Sequence, residues 1–315
     1  YISPSLFVIS RKSNNHSKVL CRMRDLLIKA NIIKDDSHID LIISNNRYEN
    51  CNSTNIIVYD KESPMYFCKV ARNPKACGLN VEGENLKWLS RKILAFKGKN
   101  FQIPKLVYFG VLDTVEFLTT SFLEGKTLNL NWHYTMDNRL NRVALINNFF
   151  RKIISFVEEK LFLKAIDQKI VQGTEALIEF QEATLCGNSR LNDVINEAVN
   201  SYLNSQIDTS EDVVKSLSGL NSKTKNLLEL SITKSAVHGD YDLNNLLFSR
   251  NKKVSLVDFE HLEKVGYPFL DLANLIFNPL IMKWKGSYLK NRSFAEYLNK
   301  YGAKKYIIKW FELFC

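Results

Sequence analysis

The sequence predicts an α+β chain of two lobes, a small and mostly antiparallel β-sheet lobe carrying one helix, then a larger and mainly helical lobe. Three observations lead there. β-branched and aromatic residues gather into short runs before residue 124. A single stretch of helical spacing interrupts those runs. Past Gly125 the text changes to long segments whose apolar residues recur at a period of about 3.6.

In chain order, residues 17–33 place Val19, Leu20, Met23, Leu26 and Leu27 at the spacing of a short amphipathic helix. Strand-like runs follow at 40–44, 55–59, 65–71, 105–110 and 115–122, with a helical pattern over 81–97 between the third and the fourth. From 142 to 163, Leu145, Ile146, Phe149, Phe150, Ile153, Ile154 and Val157 form a stripe read as core packing. Helical text continues to about 231, broken by polar stretches at 187–192 and 208–211. Two short β-like runs, 246–249 and 254–259, then flank a turn at 250–253, and the remainder reads as helical and basic. The expected division is a lobe of residues 1–124, with 1–39 as an appended helical segment, and a lobe of residues 125–315. They join at Glu124-Gly125-Lys126, with a cleft between them where a ligand binds.

Composition excludes several classes. With 45% hydrophobic and 24% charged residues over 315 positions, the chain is neither disordered nor fibrous. Its apolar runs stop well short of the roughly 20 residues a membrane helix needs. The six cysteines are scattered, without the paired spacings of a zinc site or a disulfide framework, which fits a reducing cytoplasm as the expected compartment. The chain begins at Tyr1 and carries no secretory-signal succession, and whether residues lie upstream is left open. The net charge of +10 gathers after Ile281, where Lys283, Lys285, Lys290, Arg292, Lys300, Lys304, Lys305 and Lys309 face only Glu296 and Glu312. This is read as the solvated face of terminal helices in preference to the footprint of an anionic partner, and no nucleic acid is expected.

The chemistry concentrates in His238-Gly239-Asp240-Tyr241-Asp242-Leu243-Asn244-Asn245, followed after a hairpin by Leu256-Val257-Asp258-Phe259-Glu260. Phosphoryl transfer asks for magnesium held against phosphates and a carboxylate near the attacking hydroxyl. An Asp and an Asn separated by four residues in one loop, with a second Asp after a strand, supply the hard oxygens that this ion prefers. In the first half, strand alternation over 65–71 sets Phe67 and Lys69 on one face and Tyr66, Cys68 and Val70 on the other. A lysine on an otherwise apolar strand calls for an anion. Glu82 or Glu84 on the next helix could partner it. Glu82 is preferred because it shares a face with Leu86 and Leu89, while Glu84 lies about 200° round the helix.

The order H-G-D-x-x-x-x-N, V-D-F-E, then Pro268 and Asp271-Leu272-Ala273 resembles the aminoglycoside phosphotransferase and choline kinase superfamily, of protein-kinase-like fold. The resemblance implies that Asp240 is the catalytic base or hydroxyl-orienting residue and that Asn245 and Asp258 bind Mg²⁺. It makes Lys69 the contact to the α- and β-phosphates, with Glu82 as its partner in an E-x-x-x-L-x-x-L helix. Phe67 would lie against the adenine, main-chain groups around Ser121 to Leu123 would bond its edge, and Leu247 would form its floor. Asp271 would brace the catalytic loop, and His238 would be structural. On this view residues 1–124 bind the nucleotide and residues 125–315 carry catalysis and acceptor binding.

The phosphate-covering turn expected between the first two strand runs contains no glycine over 44–55, and no Walker-type phosphate loop is present. The implied activity is that of a small-molecule kinase, moving the γ-phosphate of ATP or GTP to a hydroxyl of a sugar, amino alcohol or aminoglycoside. The basic end of the chain favours a neutral or anionic acceptor. The rival readings are a catalytically inactive kinase-fold binding module and an atypical protein kinase. Against the latter, only a short stretch separates Asp258 from Pro268, too little for a long activation segment.

Overall fold

A computed structural model of the chain describes residues 8–9, 18–34, 39–45, 53–71, 78–96, 98, 100–112, 114–128, 148–190, 193, 231–286 and 293–314. The first lobe is a six-stranded antiparallel sheet of β1 (Val8–Ile9), β2 (Ile39–Asn45), β3 (Ser53–Asp60), β4 (Ser63–Ala71), β6 (Leu106–Leu112) and β7 (Val115–Ser121). The strand order is β1-β2-β3-β4-β7-β6. Lys61 takes a left-handed conformation in the tight β3–β4 turn. Period-two alternation buries Ile56, Val58, Cys68, Val70 and Phe117 in a core of this lobe, joined by Leu27 from α1 (Lys18–Lys29) and by Leu41. The glycine-free turn after β2 lies in part, at 46–52, outside the described residues.

Helix α2 (Leu79–Lys92) crosses this sheet and buries Leu79, Glu82, Leu86 and Leu89 along one face. It ends earlier than the apolar spacing predicts. Phe96 turns off the helix to meet Phe101 at 6.0 Å, which carries the chain onto the second lobe and into β5 (Phe101–Gln102).

The second lobe is organised by α3 (Asn148–Ala183), one continuous helix through the stripe and the helical text that follows it, with Phe162, Ile166, Ile170, Leu177 and Phe180 at the centre of the core. Of the apolar stripe read in its first part, Leu145 and Ile146 lie outside the described residues, while Val157 is exposed. Helices α4 (Phe269–Gly286), α5 (Phe294–Tyr301) and α6 (Lys304–Phe314) pack around it. Among the described residues no helix is long and apolar enough to cross a membrane.

Two small sheets complete this lobe, one of β10 (Leu246–Phe248), β11 (Val254–Leu256) and β5, the other of β8 (Gly187–Arg190), β9 (Ser231–Val237) and β12 (Glu263–Gly266). The latter three strands correct the sequence reading, which took 187–192 as a polar break and the chain beyond 259 as helical. Gly187-Asn188-Ser189-Arg190 has no apolar residue and no strand propensity of its own. It is extended because β9 pairs with it, Gly187 opposite Lys234 and Arg190 opposite Ser231.

The lobes join where the chain leaves β7. Lys126 exchanges both main-chain hydrogen bonds with Phe248, at 3.1 and 3.0 Å, tying the connection to β10. Gly125 makes this approach possible: its φ is 153°, and a Cβ there would stand 2.8 Å from the Cβ of Leu247.

Candidate active site

Strand β4 carries Lys69 to the mouth of the cleft between the lobes. Its ammonium lies 2.6 Å from Glu82 Oε2 on α2 and 2.7 Å from Asp258 Oδ1 in the second lobe. The alternation along β4 is the cause: Cys68 and Val70 are buried in the sheet core, so Phe67 and Lys69 face the cleft. Glu84, the alternative partner, is exposed and sits 3.8 Å from Lys87 on the same helix. Burial works against the ammonium, but attraction to Glu82 and Asp258 outweighs it, and Lys69 holds its proton more tightly than a free lysine. Burial likewise pushes the Glu82 carboxyl up, and the nearby ammonium pulls it back.

The loop after β9 is shaped from below by Asp271, the third residue of α4. Its buried carboxylate accepts the main-chain N–H of His238 at 2.6 Å and of Gly239 at 3.0 Å. Burial pushes this carboxyl up to about 7, with the two N–H bonds acting in the other direction. Gly239 has a φ of 83°, and a Cβ there would stand 2.3 Å from the carbonyl oxygen of His261, so this turn admits no larger residue. The loop then presents Asp240, whose carboxylate accepts from Asn245 Nδ2 at 2.7 Å; the same amide reaches the Asp240 carbonyl at 2.9 Å. Asp242 stabilises the turn between them by accepting the N–H of Asn244 at 2.7 Å and of Asn245 at 3.3 Å.

His238 is fully buried between Tyr241 and Phe259 and donates from Nε2 to the Val257 carbonyl at 3.0 Å, while Nδ1 has no partner among the described residues. Burial lowers its pKa from 6.5 to about 4, so the ring is neutral at neutral pH. The unfolded chain then binds the proton better than the folded one. Stability present above pH 6.5 is lost as the pH falls toward 4, by an amount on the order of 3 kcal/mol. The difference in urea-unfolding free energy between the protein and His238→Gln is expected to shrink by this amount across that window. A difference that does not change with pH would remove His238 as its cause.

After β11, Asp258 adopts left-handed angles, φ 69° and ψ 67°, immediately before the 3₁₀ turn Phe259–His261. For a residue with a Cβ this costs about 1–3 kcal/mol and persists only where neighbours enforce it. Four contacts surround it. The N–H of Val257 donates to the Asn245 carbonyl at 3.1 Å, His238 donates to the Val257 carbonyl, Asn85 Nδ2 donates to the Phe259 carbonyl at 2.8 Å, and Lys69 binds the Asp258 side chain.

The cleft above this turn, of about 260 Å³, is near the lower end of small-ligand pockets. Phe67, Lys69, Glu82, Ser121, Leu123, Leu247 and Asp258, all singled out from the sequence, line it. Pro104, Leu118, Thr120 and Val257 also line it, as does Ile57, which had not been singled out. For Ile57 a signal was available: it is the residue of β3 directly opposite Phe67, and strand alternation puts both on one face. Its lining is largely apolar, and Lys69, Glu82 and Asp258 are its charged residues.

The sheet lobe with α1 and α2, the helical lobe and the cleft between them define a two-lobed, protein-kinase-like fold. No protein-family model matches the chain, and no curated protein matches it. Among solved structures it is similar to aminoglycoside phosphotransferase APH(4)-Ia, at 16% identity and a TM-score of 0.49, over 92% of this chain and 88% of that one. It is also similar to the GDP complex of wild-type aminoglycoside 2'-phosphotransferase-IIIa, at 14% identity and a TM-score of 0.46, over 93% and 96% of the two chains. A third is the streptomycin-ATP-APH(2")-IIa ternary complex, at 16% identity and a TM-score of 0.41, over 82% and 75%.

Proposed function

We propose that this chain is a nucleotide-dependent phosphotransferase of the aminoglycoside phosphotransferase and choline kinase type, moving the γ-phosphate of ATP or GTP to a hydroxyl of a small molecule. The observation that carries the reading is that Lys69 meets both Glu82 and Asp258, at 2.6 and 2.7 Å, in a cleft otherwise lined largely by apolar residues. Lys69 and Glu82 come from neighbouring elements and Asp258 from a segment 189 positions beyond the lysine. Two carboxylates on one ammonium leave a negative charge in excess, so a bound cation could take up Asp258 and free the ammonium for a phosphate.

Asn245 and Asp258 suit magnesium. Asn245 spends its amide N–H on Asp240, which leaves Oδ1 without a hydrogen bond among the described residues; Asp258 commits Oδ1 to Lys69 and retains Oδ2. Among the described residues no three His, Cys, Asp or Glu side chains gather as a metal cage. An ion here would therefore share its coordination with phosphates and water, as magnesium commonly does. When bound, it would neutralise charge on the β- and γ-phosphate oxygens. Lys69 steadies the α- and β-phosphates, and Asp240, oriented by Asn245, aligns the acceptor hydroxyl and takes its proton. The adenine lies between Phe67 and Leu247, with its edge on main-chain groups of Ser121 to Leu123.

The acceptor is proposed as a small hydroxylated molecule: a sugar, an amino alcohol or an aminoglycoside. The preference for a neutral or anionic one drew on the basic end of the chain. Two of those cations are engaged internally, since Lys283 is buried 4.0 Å from Glu159 and Lys309 binds Asp167 at 2.9 Å.

The test uses the purified chain with Mg²⁺ and γ-labelled ATP or GTP against a panel of sugars, amino alcohols and aminoglycosides, alongside calorimetric titration with ADP and GDP. Label transfer to at least one acceptor class and magnesium-dependent nucleotide binding are expected. Binding without transfer would leave the inactive-module reading standing, and a protein that binds neither nucleotide would end the proposal.

A further inference from the structure

We infer that Asn85 is a positioning residue for the turn that carries Asp258, so that the placement of α2 sets the direction of the proposed magnesium ligand. The inference rests on the phosphotransferase reading. Asp258 sits in a left-handed conformation, and a side-chain donor grips the carbonyl on each flank of it. On the Val257 side the donor is His238 Nε2, at 3.0 Å; on the Phe259 side it is Asn85 Nδ2, at 2.8 Å. A carbonyl can only accept, so Asn85 must present its amide nitrogen, which fixes the orientation of its side chain.

The two donors differ in origin. His238 belongs to the catalytic loop of the same lobe, whereas Asn85 reaches across from the first lobe and is 6% exposed. A buried amide needs its hydrogen bond. Asn85 follows Glu82 by three residues on α2, so both lie on one face of the helix. Glu82 holds Lys69, which binds the Asp258 carboxylate. At the start of the same helix, Gly78 lies beside Glu260, where a Cβ would stand 3.5 Å from Oε2. Successive levels of one helix face thus meet residues 258, 259 and 260. Lys69 acts on the Asp258 side chain, and Asn85 acts on the backbone that aims it.

It follows that Asn85 governs the metal-dependent part of nucleotide affinity and leaves the metal-independent part alone. Removing the support of a metal ligand commonly weakens metal binding by about 10- to 100-fold. Calorimetric titration with ADP, with and without Mg²⁺, is made on the full chain, on Asn85→Ala and Asn85→Leu, and on Glu84→Ala as a control on the outer face of α2. Both Asn85 variants are expected to lose about tenfold or more in ADP affinity with Mg²⁺ and to match the unaltered protein without it. The Glu84 variant is expected to behave as the unaltered protein in both.

A folded Asn85 variant that retains the full gain from Mg²⁺ overturns the inference, as does one that loses ADP affinity equally with and without metal. Should neither variant fold, the side-chain amide protons of Asn85 in the unaltered protein decide by NMR. They are expected to exchange slowly and to shift on adding Mg²⁺ with ADP but not ADP alone, and fast exchange overturns the inference. If the unaltered protein shows no gain from Mg²⁺, the phosphotransferase reading is what has failed.

Discussion

Asp240→Asn is expected to lower turnover by about 10²- to 10⁴-fold, the usual contribution of a positioned general base, while binding of ADP with Mg²⁺ is unchanged. The substitution keeps the shape of the side chain, and its amide oxygen can still accept the 2.7 Å hydrogen bond from Asn245. What it removes is the negative charge and the site for the hydroxyl proton. Because Asp240 forms no hydrogen bond or ion pair with Lys69 or Asp258 among the described residues, the ion pairs of Lys69 in the cleft are left in place. Steady-state rates with the acceptor found in the panel, together with calorimetry for ADP, separate the two effects. Unchanged turnover would show that Asp240 takes no part in the transfer, and a matching loss of ADP affinity would assign it to binding.

Lys69→Met is expected to abolish detectable nucleotide binding and to destabilise the fold by about 3–5 kcal/mol at pH 8, because it strands a buried carboxylate. Glu82 is 3% exposed, and Lys69 is the cation placed against it. Without that cation its pKa rises further, and the neutral form is tolerated where the ion is not. The stability deficit is therefore largest above the raised pKa and narrows as the pH falls through it. Asp258, whose side chain is 36% exposed, contributes less to this loss because water reaches it.

The double variant Lys69→Met with Glu82→Leu discriminates further. Replacing a buried ion pair by apolar groups of similar volume is commonly neutral for stability, so much of the deficit is expected to return while nucleotide binding does not. Urea unfolding at pH 8 and pH 5.5 measures the first part, and calorimetry the second. A single variant as stable as the parent at pH 8 would mean that Glu82 finds another partner, and the account of the Lys69 pair would be wrong.

The legible parts of the site are those where neighbouring residues constrain one another. Phe67 and Lys69 reach the cleft because a strand alternates, whereas Leu247 was named through the family resemblance. His238 to Asn245 is a turn held by its own side chains, Asp242 on Asn244 and Asn245, and Asn245 on Asp240. Helical spacing favoured Glu82 over Glu84, yet it was the docking of α2 on β4 that brought Glu82 to 2.6 Å from the lysine. Asn85 carries no mark in the sequence at all. Its partner is a main-chain carbonyl 174 positions away, and any residue type has one.

The sequence by itself determined the order of lobes, the sheet with a helix inserted after its β4 run, and Lys69 as the cation that faces the cleft. Those features depend on local period and on short spacings, which neighbours in the chain dictate. Only the tertiary structure decided that 187–190, 231–237 and 263–266 are strands, that Lys283 is buried beside Glu159, and that Asn85 binds the Phe259 carbonyl next to Asp258. In each case the contact is made by pairing or burial against a distant segment, and no window of neighbouring residues contains it.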